Sequence, residues 1–237
     1  GKSTFINTMQ RLMGDYYCKV ATRTFLEGGF KKSASDATPD LVKLPGARGV
    51  FCSEAKPDDF FDLERIKEFT GDTQMNVRAL FKAEETFVPV GKLWMFLNDL
   101  PQFKNTGDGS MLRRIVRIRF NQIFANKGEQ HWVPGAMAKM PNLAKRLEKE
   151  MPGILAWAVE GAKAYYANRG MGEMPEVCKV ASKQYADDND LLAGFVADAI
   201  ETVDGAFLTA AEAQDAYRVW CAHNSTEPMK IDTFRKK

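Results

Sequence analysis

The sequence predicts an α/β core in its first half and an all-helical second half. Three observations predict it. A helical pattern from Ser3 to Met13 follows directly on Gly-Lys-Ser. Two short apolar runs, Val50 to Cys52 and Lys92 to Leu97, each end on a polar residue. Strand patterns then stop after residue 121, and helical periodicity takes over.

The elements follow in chain order. Phe5, Met9 and Leu12 fall on one face of the first helix, and Gly14-Asp15 stops it. Cys18 to Thr22 reads as a short strand, and residues 27 to 39 (EGGFKKSASDATP) as a loop. Val50-Phe51-Cys52 suits a strand buried on both faces, as in a parallel sheet. It ends at Ser53-Glu54, so a carboxylate sits where open α/β sheets place ligands. Asp62 to Thr70 is a short helix burying Leu63, Ile66 and Phe69, closed by Gly71.

A hairpin comes next, with arms Val77 to Phe81 and Thr86 to Val90 and its tip at Lys82 to Glu85. The strand Lys92 to Leu97 delivers Asn98. After TGDGS, the stretch MLRRIVRIRF alternates Val116, Ile118 and Phe120 against Arg117 and Arg119, a strand pattern. Helices follow at Asn142 to Glu150, Pro152 to Ala167 (closed by Gly170), Glu176 to Asp187 and Asp190 to Val203. Thr209-Ala-Ala-Glu212 is a capping box that opens a helix to about Ala222. The chain stops at FRKK, just inside another helical pattern.

Composition narrows the classes. The 237 residues carry 33 Lys and Arg against 31 Asp and Glu, a net charge of +2, and are 45% hydrophobic. That is a packed globular chain, and its small net charge neither requires nor excludes a nucleic-acid partner. No apolar run approaches the ~20 residues that span a bilayer. Cys18, Cys52, Cys178 and Cys221 are far apart, with no C-x-x-C. Of the two histidines, His131 and His223, only the second has a close cysteine. The expectation is reduced cysteines, no zinc site and a cytoplasmic setting.

Gly1-Lys2-Ser3 is the closing part of the phosphate-loop pattern G-x-x-x-x-G-K-[ST]. Alone, the tripeptide is weak and Lys2 reads equally as a solvated terminal lysine. Its setting strengthens it: a helix follows, then a strand ending in an acid, then a strand ending in Asn. Hydrolysis of a nucleoside triphosphate needs an ammonium on the phosphates, a hydroxyl and an acid for Mg²⁺ and water, and a polar group at the γ-phosphate.

The order GKSTF, ARGVFCSEAK, FTGDTQMNVRALFK, KLWMFLNDLPQF, RRIVRIRF resembles the superfamily 3 helicase core of phage and plasmid primase–helicases, and more distantly the poxvirus primase–helicase. These blocks cover about residues 1 to 120. MPGILAWAVEGAKAYYANRG resembles the helical region after that core, and the last sixty residues resemble a winged-helix region. The resemblance implies an AAA+-like P-loop NTPase core over residues 1–122, a helical linker over 123–175 and a winged-helix-like DNA-binding domain over 176–237.

It also implies roles. Gly1, Lys2, Ser3 and Thr4 line the phosphates of ATP, and Ser3 and Glu54 hold Mg²⁺. Glu54 is the Walker B acid, and Asn98 is sensor 1. Ser53 stands where viral members of the superfamily often carry a second acid, which leaves the metal fewer ligands. Arg114 is the arginine finger supplied to a neighbouring subunit, with Arg113 the alternative. Lys82 grips a DNA phosphate, and Phe81 packs on sugar or base. Arg117 and Arg119 read as a solvated or interface face. Tyr217 and Trp220 read as core, and the tail Lys230, Arg235, Lys236 and Lys237 as either the start of a recognition helix or a frayed end.

The expected function is an ATP-driven DNA helicase module of a phage or plasmid replicative primase–helicase. Its partners are single-stranded and replication-fork or origin DNA and further copies of itself in a ring of hexamer size. It has no membrane partner and works in the host bacterial cytoplasm. The alternative is a non-hydrolysing origin-binding or initiator module with a degenerate ATPase core, supported by Ser53. With the earlier part of the phosphate loop absent, the fragment is expected to bind ATP poorly and to be inactive alone.

Overall fold

A computed structural model provides the structure, and describes residues 1–28, 38–71, 73–103, 114–224, 226, 228–229 and 231–234. The chain divides into two compact units, residues 1–101 with 118–175, and residues 102–117 with 176–237.

The first unit is built on a three-stranded parallel sheet. Its strands are β1 (Tyr17–Lys19), β2 (Gly49–Ser53) and β5 (Lys92–Phe96), in the order β1-β2-β5. Central β2 pairs on both sides, Cys18 facing Val50 and Ser53 facing Phe96 in register. Both edges of β2 pair with parallel neighbours, and Gly49, Val50, Phe51 and Cys52 are all buried, so successive residues on both of its faces are covered. That is why this strand reads as a continuous apolar run rather than an alternating one.

Helix α1 (Lys2–Met13) lies on this sheet. The Phe5 ring sits 5.8 Å from both Trp94 and Phe96, and Phe51 stacks on Tyr17 at 4.6 Å. At the other end of α1, a Cβ placed on Gly49 would come 2.7 Å from Met13 Cε. Glycine there lets helix and strand approach closely. Helix α2 (Leu63–Thr70) buries Ile66 and Phe69, and its first turn is capped by the Asp62 carboxylate, which accepts from the Arg65 amide at 3.0 Å. Such a cap contributes about 1 kcal/mol.

The hairpin consists of β3 (Met75–Arg78) and β4 (Glu84–Phe87), antiparallel, with Arg78 facing Glu84. Met75 and Val77 point into the core, whereas Glu84, Glu85 and Thr86 are exposed. The arms thus lie two to three residues earlier than the sequence predicts, and the turn takes in Ala79 to Ala83. The apolar pair Leu80-Phe81 extends the strand pattern, but the ladder ends at Arg78 and Glu84, and Phe81 adopts a left-handed backbone (φ 61°) inside the turn.

A second expectation fails outright. Residues 115–120 form no strand, and Val116, Ile118 and Phe120 are all exposed. Alternation alone does not make a strand; a neighbour must supply the ladder, and none lies beside this segment among the described residues. Farther on, Phe124 and Met137 form an isolated bridge. Helices α3 (Leu143–Lys149) and α4 (Met151–Ala167) complete the unit, with Arg11 of α1 meeting Glu148 of α3 at 3.0 Å.

The described part of the second unit is helical: α5 (Glu176–Asp188), α6 (Leu191–Ala199), α7 (Ala210–His223) and the short α8 (Ile231–Phe234). Its core is Phe195, Tyr217 and Cys221, with Trp220 and Phe234 packed against them. Tyr217 is therefore core, as the helix face predicts. Helix α6 stops four residues before the sequence suggests, because Ile200 turns extended (φ −114°, ψ 121°). The capping box opens α7, with Thr209 and Glu212 bonded reciprocally. Phe103 and Arg117 dock on α5: the Phe103 ring is 5.3 Å from Tyr185, and the Arg117 guanidinium sits 5.8 Å over it.

Candidate nucleotide site

The first-turn amides of α1 define one side of the site. Gly1 is the N-cap and offers no side chain, and the first intrahelical bond is Phe5 N–H to Gly1 O at 3.2 Å. The amides of Lys2, Ser3 and Thr4 therefore have no acceptor within the helix. They add the positive end of the helix dipole, a setting that favours anions. Ser3 is exposed and Thr4 half-buried.

The C-terminal ends of β2 and β5 form the other side. Lys2 Nζ donates to the Leu97 carbonyl at 2.7 Å and to Asn98 Oδ1. These are the first two residues after β5. Next to them, the β2–β5 ladder continues one step, with the Glu54 amide donating to the Phe96 carbonyl at 3.2 Å. Glu54 holds a left-handed backbone (φ 73°) and its side chain is exposed. A non-glycine residue rarely accepts that conformation, and such strain gathers at functional sites. Ser53 is half-buried, and its carbonyl accepts from Thr22 Oγ1 at 2.8 Å.

Lys2, Glu54 and Asn98, far apart in sequence, thus gather at one edge of the sheet. One ammonium and three uncapped amides suit a polyphosphate. A hydroxyl at Ser3 and one carboxylate at Glu54 suit Mg²⁺, which keeps several waters and takes phosphate oxygens for its remaining positions. Among the described residues no group of three His, Cys, Asp or Glu side chains is placed to hold a metal on its own. Cys52, two residues before Glu54, is buried, and burial, with Cys18 beside it, pushes its thiol up to about 12.

The hairpin tip is a separate feature of the same unit. Phe81 is 96% exposed and Leu80 65% exposed, so the turn presents apolar side chains to solvent. The tip is braced from within: Lys82 N–H donates to Ala79 O at 3.1 Å, and Arg78 Nε donates to Lys82 O at 3.2 Å. At its base, Arg78 and Thr38 exchange hydrogen bonds of 2.8 and 2.9 Å. Lys82 itself is exposed.

The remaining sequence-predicted residues lie elsewhere. Arg114 is exposed and belongs to the second unit. Arg113, Lys230, Arg235, Lys236 and Lys237 lie outside the described residues, as does the TGDGS loop. Two participants escape sequence reasoning. The Leu97 carbonyl is a backbone acceptor and has no side-chain signature. Leu80 joins Phe81 at the tip; the signal for it is an apolar pair at a turn, where polar turn formers are the rule.

This geometry is compatible with a P-loop-like core. Comparison with known proteins agrees in kind. Residues 1–114 match a family described as "Family of unknown function (DUF5906)". The chain is also similar to two viral proteins, each named "Putative helicase". One, from Frog virus 3 (isolate Goorha), is 26% identical over 235 residues, 95% of this chain and 23% of that protein. The other, from Acanthamoeba polyphaga mimivirus, is 32% identical over 129 residues, 54% of this chain and 13% of that protein. The chain therefore spans less than a quarter of the length of these relatives. No helix among the described residues is long and apolar enough to cross a membrane.

Proposed function

We propose that this chain is the motor region of an ATP-driven DNA helicase, of the superfamily 3 kind found in replicative primase–helicases. The observation that carries the reading is the meeting of Lys2, at the start of α1, with Asn98, at the end of β5, beside Glu54. Similarity to two viral proteins named as helicases supports it and favours a viral or mobile-element replication setting.

In this reading the Lys2 ammonium and the amides of Gly1 to Thr4 bind the nucleotide phosphates. The Glu54 carboxylate accepts the proton of the attacking water, and Asn98 donates to the γ-phosphate. Ser3 and Glu54 are the residues that would hold Mg²⁺, whose chemistry is to offset phosphate charge. Phe81 and Lys82 at the hairpin tip take single-stranded DNA, one by stacking and one by charge. Copies of the chain assemble as a ring in which Arg114 or Arg113 reaches the neighbour's nucleotide. The second unit serves as a winged-helix-like DNA-binding module.

The test is ATP hydrolysis, with and without single-stranded DNA, by the chain with a complete phosphate loop joined ahead of Gly1. Hydrolysis that rises with DNA and disappears in Lys2→Ala is the expected result. A folded protein that hydrolyses nothing refutes the motor.

A further inference from the structure

Asn98 has two ends, and the contact with Lys2 uses one of them. Its Oδ1 accepts from the Lys2 ammonium, which leaves the Nδ2 amide free of that contact. The ammonium has three donors. One goes to the Leu97 carbonyl at 2.7 Å and one to Asn98, so a single N–H remains for a phosphate. Both acceptors follow directly on β5, which is paired along its length with buried β2. A lysine on a flexible four-carbon stem is thereby tied to the sheet rather than to its own helix.

We infer that Asn98 is a positioning residue for Lys2: it fixes the ammonium at the C-terminal edge of the sheet. This rests on the nucleotide reading above and adds to it. A residue that only senses the γ-phosphate distinguishes ATP from ADP. One that holds Lys2 matters for both, because a phosphate-loop lysine also serves the β-phosphate. The amide Nδ2 keeps the sensing role, and Oδ1 carries the positioning role.

Lysine acetylation by an activated ester, read residue by residue with mass spectrometry on the 237-residue chain, tests the contact without any nucleotide. Asn98→Ala is expected to raise the Lys2 rate by about tenfold, the factor that matches loss of a hydrogen bond to a charged group. Asn98→Asp, which keeps an acceptor, is expected to restore protection. Lys82 and Lys92, exposed elsewhere, report any general loosening and are expected not to change. A Lys2 rate unchanged in Asn98→Ala, or equally raised in Asn98→Asp, overturns the inference.

ADP binding by the chain with a complete phosphate loop supplies the second readout. Asn98→Ala is expected to weaken ADP, and to weaken it no further when added to Lys2→Ala. Full ADP affinity in Asn98→Ala, with hydrolysis lost, would leave Asn98 a sensor alone and refute positioning. Absence of ADP binding before any substitution would instead refute the nucleotide reading itself.

Discussion

The amide of Glu54 donates to the carbonyl of Phe96 at 3.2 Å, one residue beyond the last paired residue of β2. This bond ties the strained Glu54 backbone to the neighbouring strand and fixes where its carboxylate begins. Two roles are superimposed at this position, and two substitutions separate them. Glu54→Gln is expected to keep nucleotide binding and to lower hydrolysis by about 10²-fold or more, the usual contribution of a general base. Glu54→Gly removes the same carboxylate and also relieves the left-handed backbone, so it is expected to raise unfolding free energy by about 1 kcal/mol. Denaturant melts of the two variants check the second point. A Glu54→Gly protein less stable than Glu54→Gln would show that the side chain, not the backbone, holds this turn.

Gly49 links packing to the site. A Cβ there would come 2.6 Å from Phe51 Cε2 and 2.7 Å from Met13 Cε, so the Phe51 ring and the Met13 thioether between α1 and β2 have to shift. Gly49→Ala is expected to cost about 1–3 kcal/mol, the range for overpacking a filled core. Because Lys2 rides on the same helix, nucleotide affinity is expected to fall as well, although Gly49 is at the opposite end of β2 from Glu54. Thermal melts and nucleotide binding, measured together, check this. Lost stability with unchanged affinity would mean that α1 pivots about its first turn.

Much of this arrangement is legible in the sequence. The buried run Val50-Phe51-Cys52 marks β2 because a strand covered on both faces has no polar side to show. Asn98 is placed by the end of the next apolar run, Lys92 to Leu97, although that run predicts a buried strand and β5 is half-exposed, with Lys92 and Trp94 open to solvent; α7 is placed by its capping box. What is not legible depends on partners. Val116, Ile118 and Phe120 alternate as a strand does, yet no ladder partner lies beside them among the described residues. The hairpin arms shift because Leu80 and Phe81 look like strand residues and stand in the turn. The pattern of α4 predicts its helix correctly but not which face is covered: Leu155, Trp157 and Tyr166 are exposed. The contact of Lys2 with a main-chain oxygen leaves no trace in residue types at all.

The hairpin tip offers a clean division between stability and binding. The side chains of Phe81 and Lys82 are exposed, so replacing either by Ala is expected to change stability by no more than about 0.5 kcal/mol. For single-stranded DNA, Lys82→Ala is expected to reduce the slope of log affinity against log salt by about 0.7, one phosphate contact on a single strand. Phe81→Ala is expected to cost about 1–3 kcal/mol of binding with the salt slope unchanged, as for a lost stacking platform. Fluorescence titrations at several salt concentrations separate the two. A changed slope in Phe81→Ala, or an unchanged one in Lys82→Ala, would reassign their roles.

Cys52 sits immediately before the Ser53-Glu54 turn and reports on the sheet. Burial raises its thiol from 9.0 to about 12. The unfolded chain ionises this group first, so the contribution to stability is intact below about pH 9. It is lost as pH rises from there toward about 12. Unfolding free energy measured between pH 8 and 11 is expected to fall, and to fall less steeply in Cys52→Ala, where the group is gone. The same burial predicts that a thiol reagent labels Cys52 only as fast as the first unit opens. Labelling of Cys52 at the rate of a free thiol in the folded protein would mean that β2 is not the closed centre of the sheet. The position of Glu54, and of the site built on it, would then need revision.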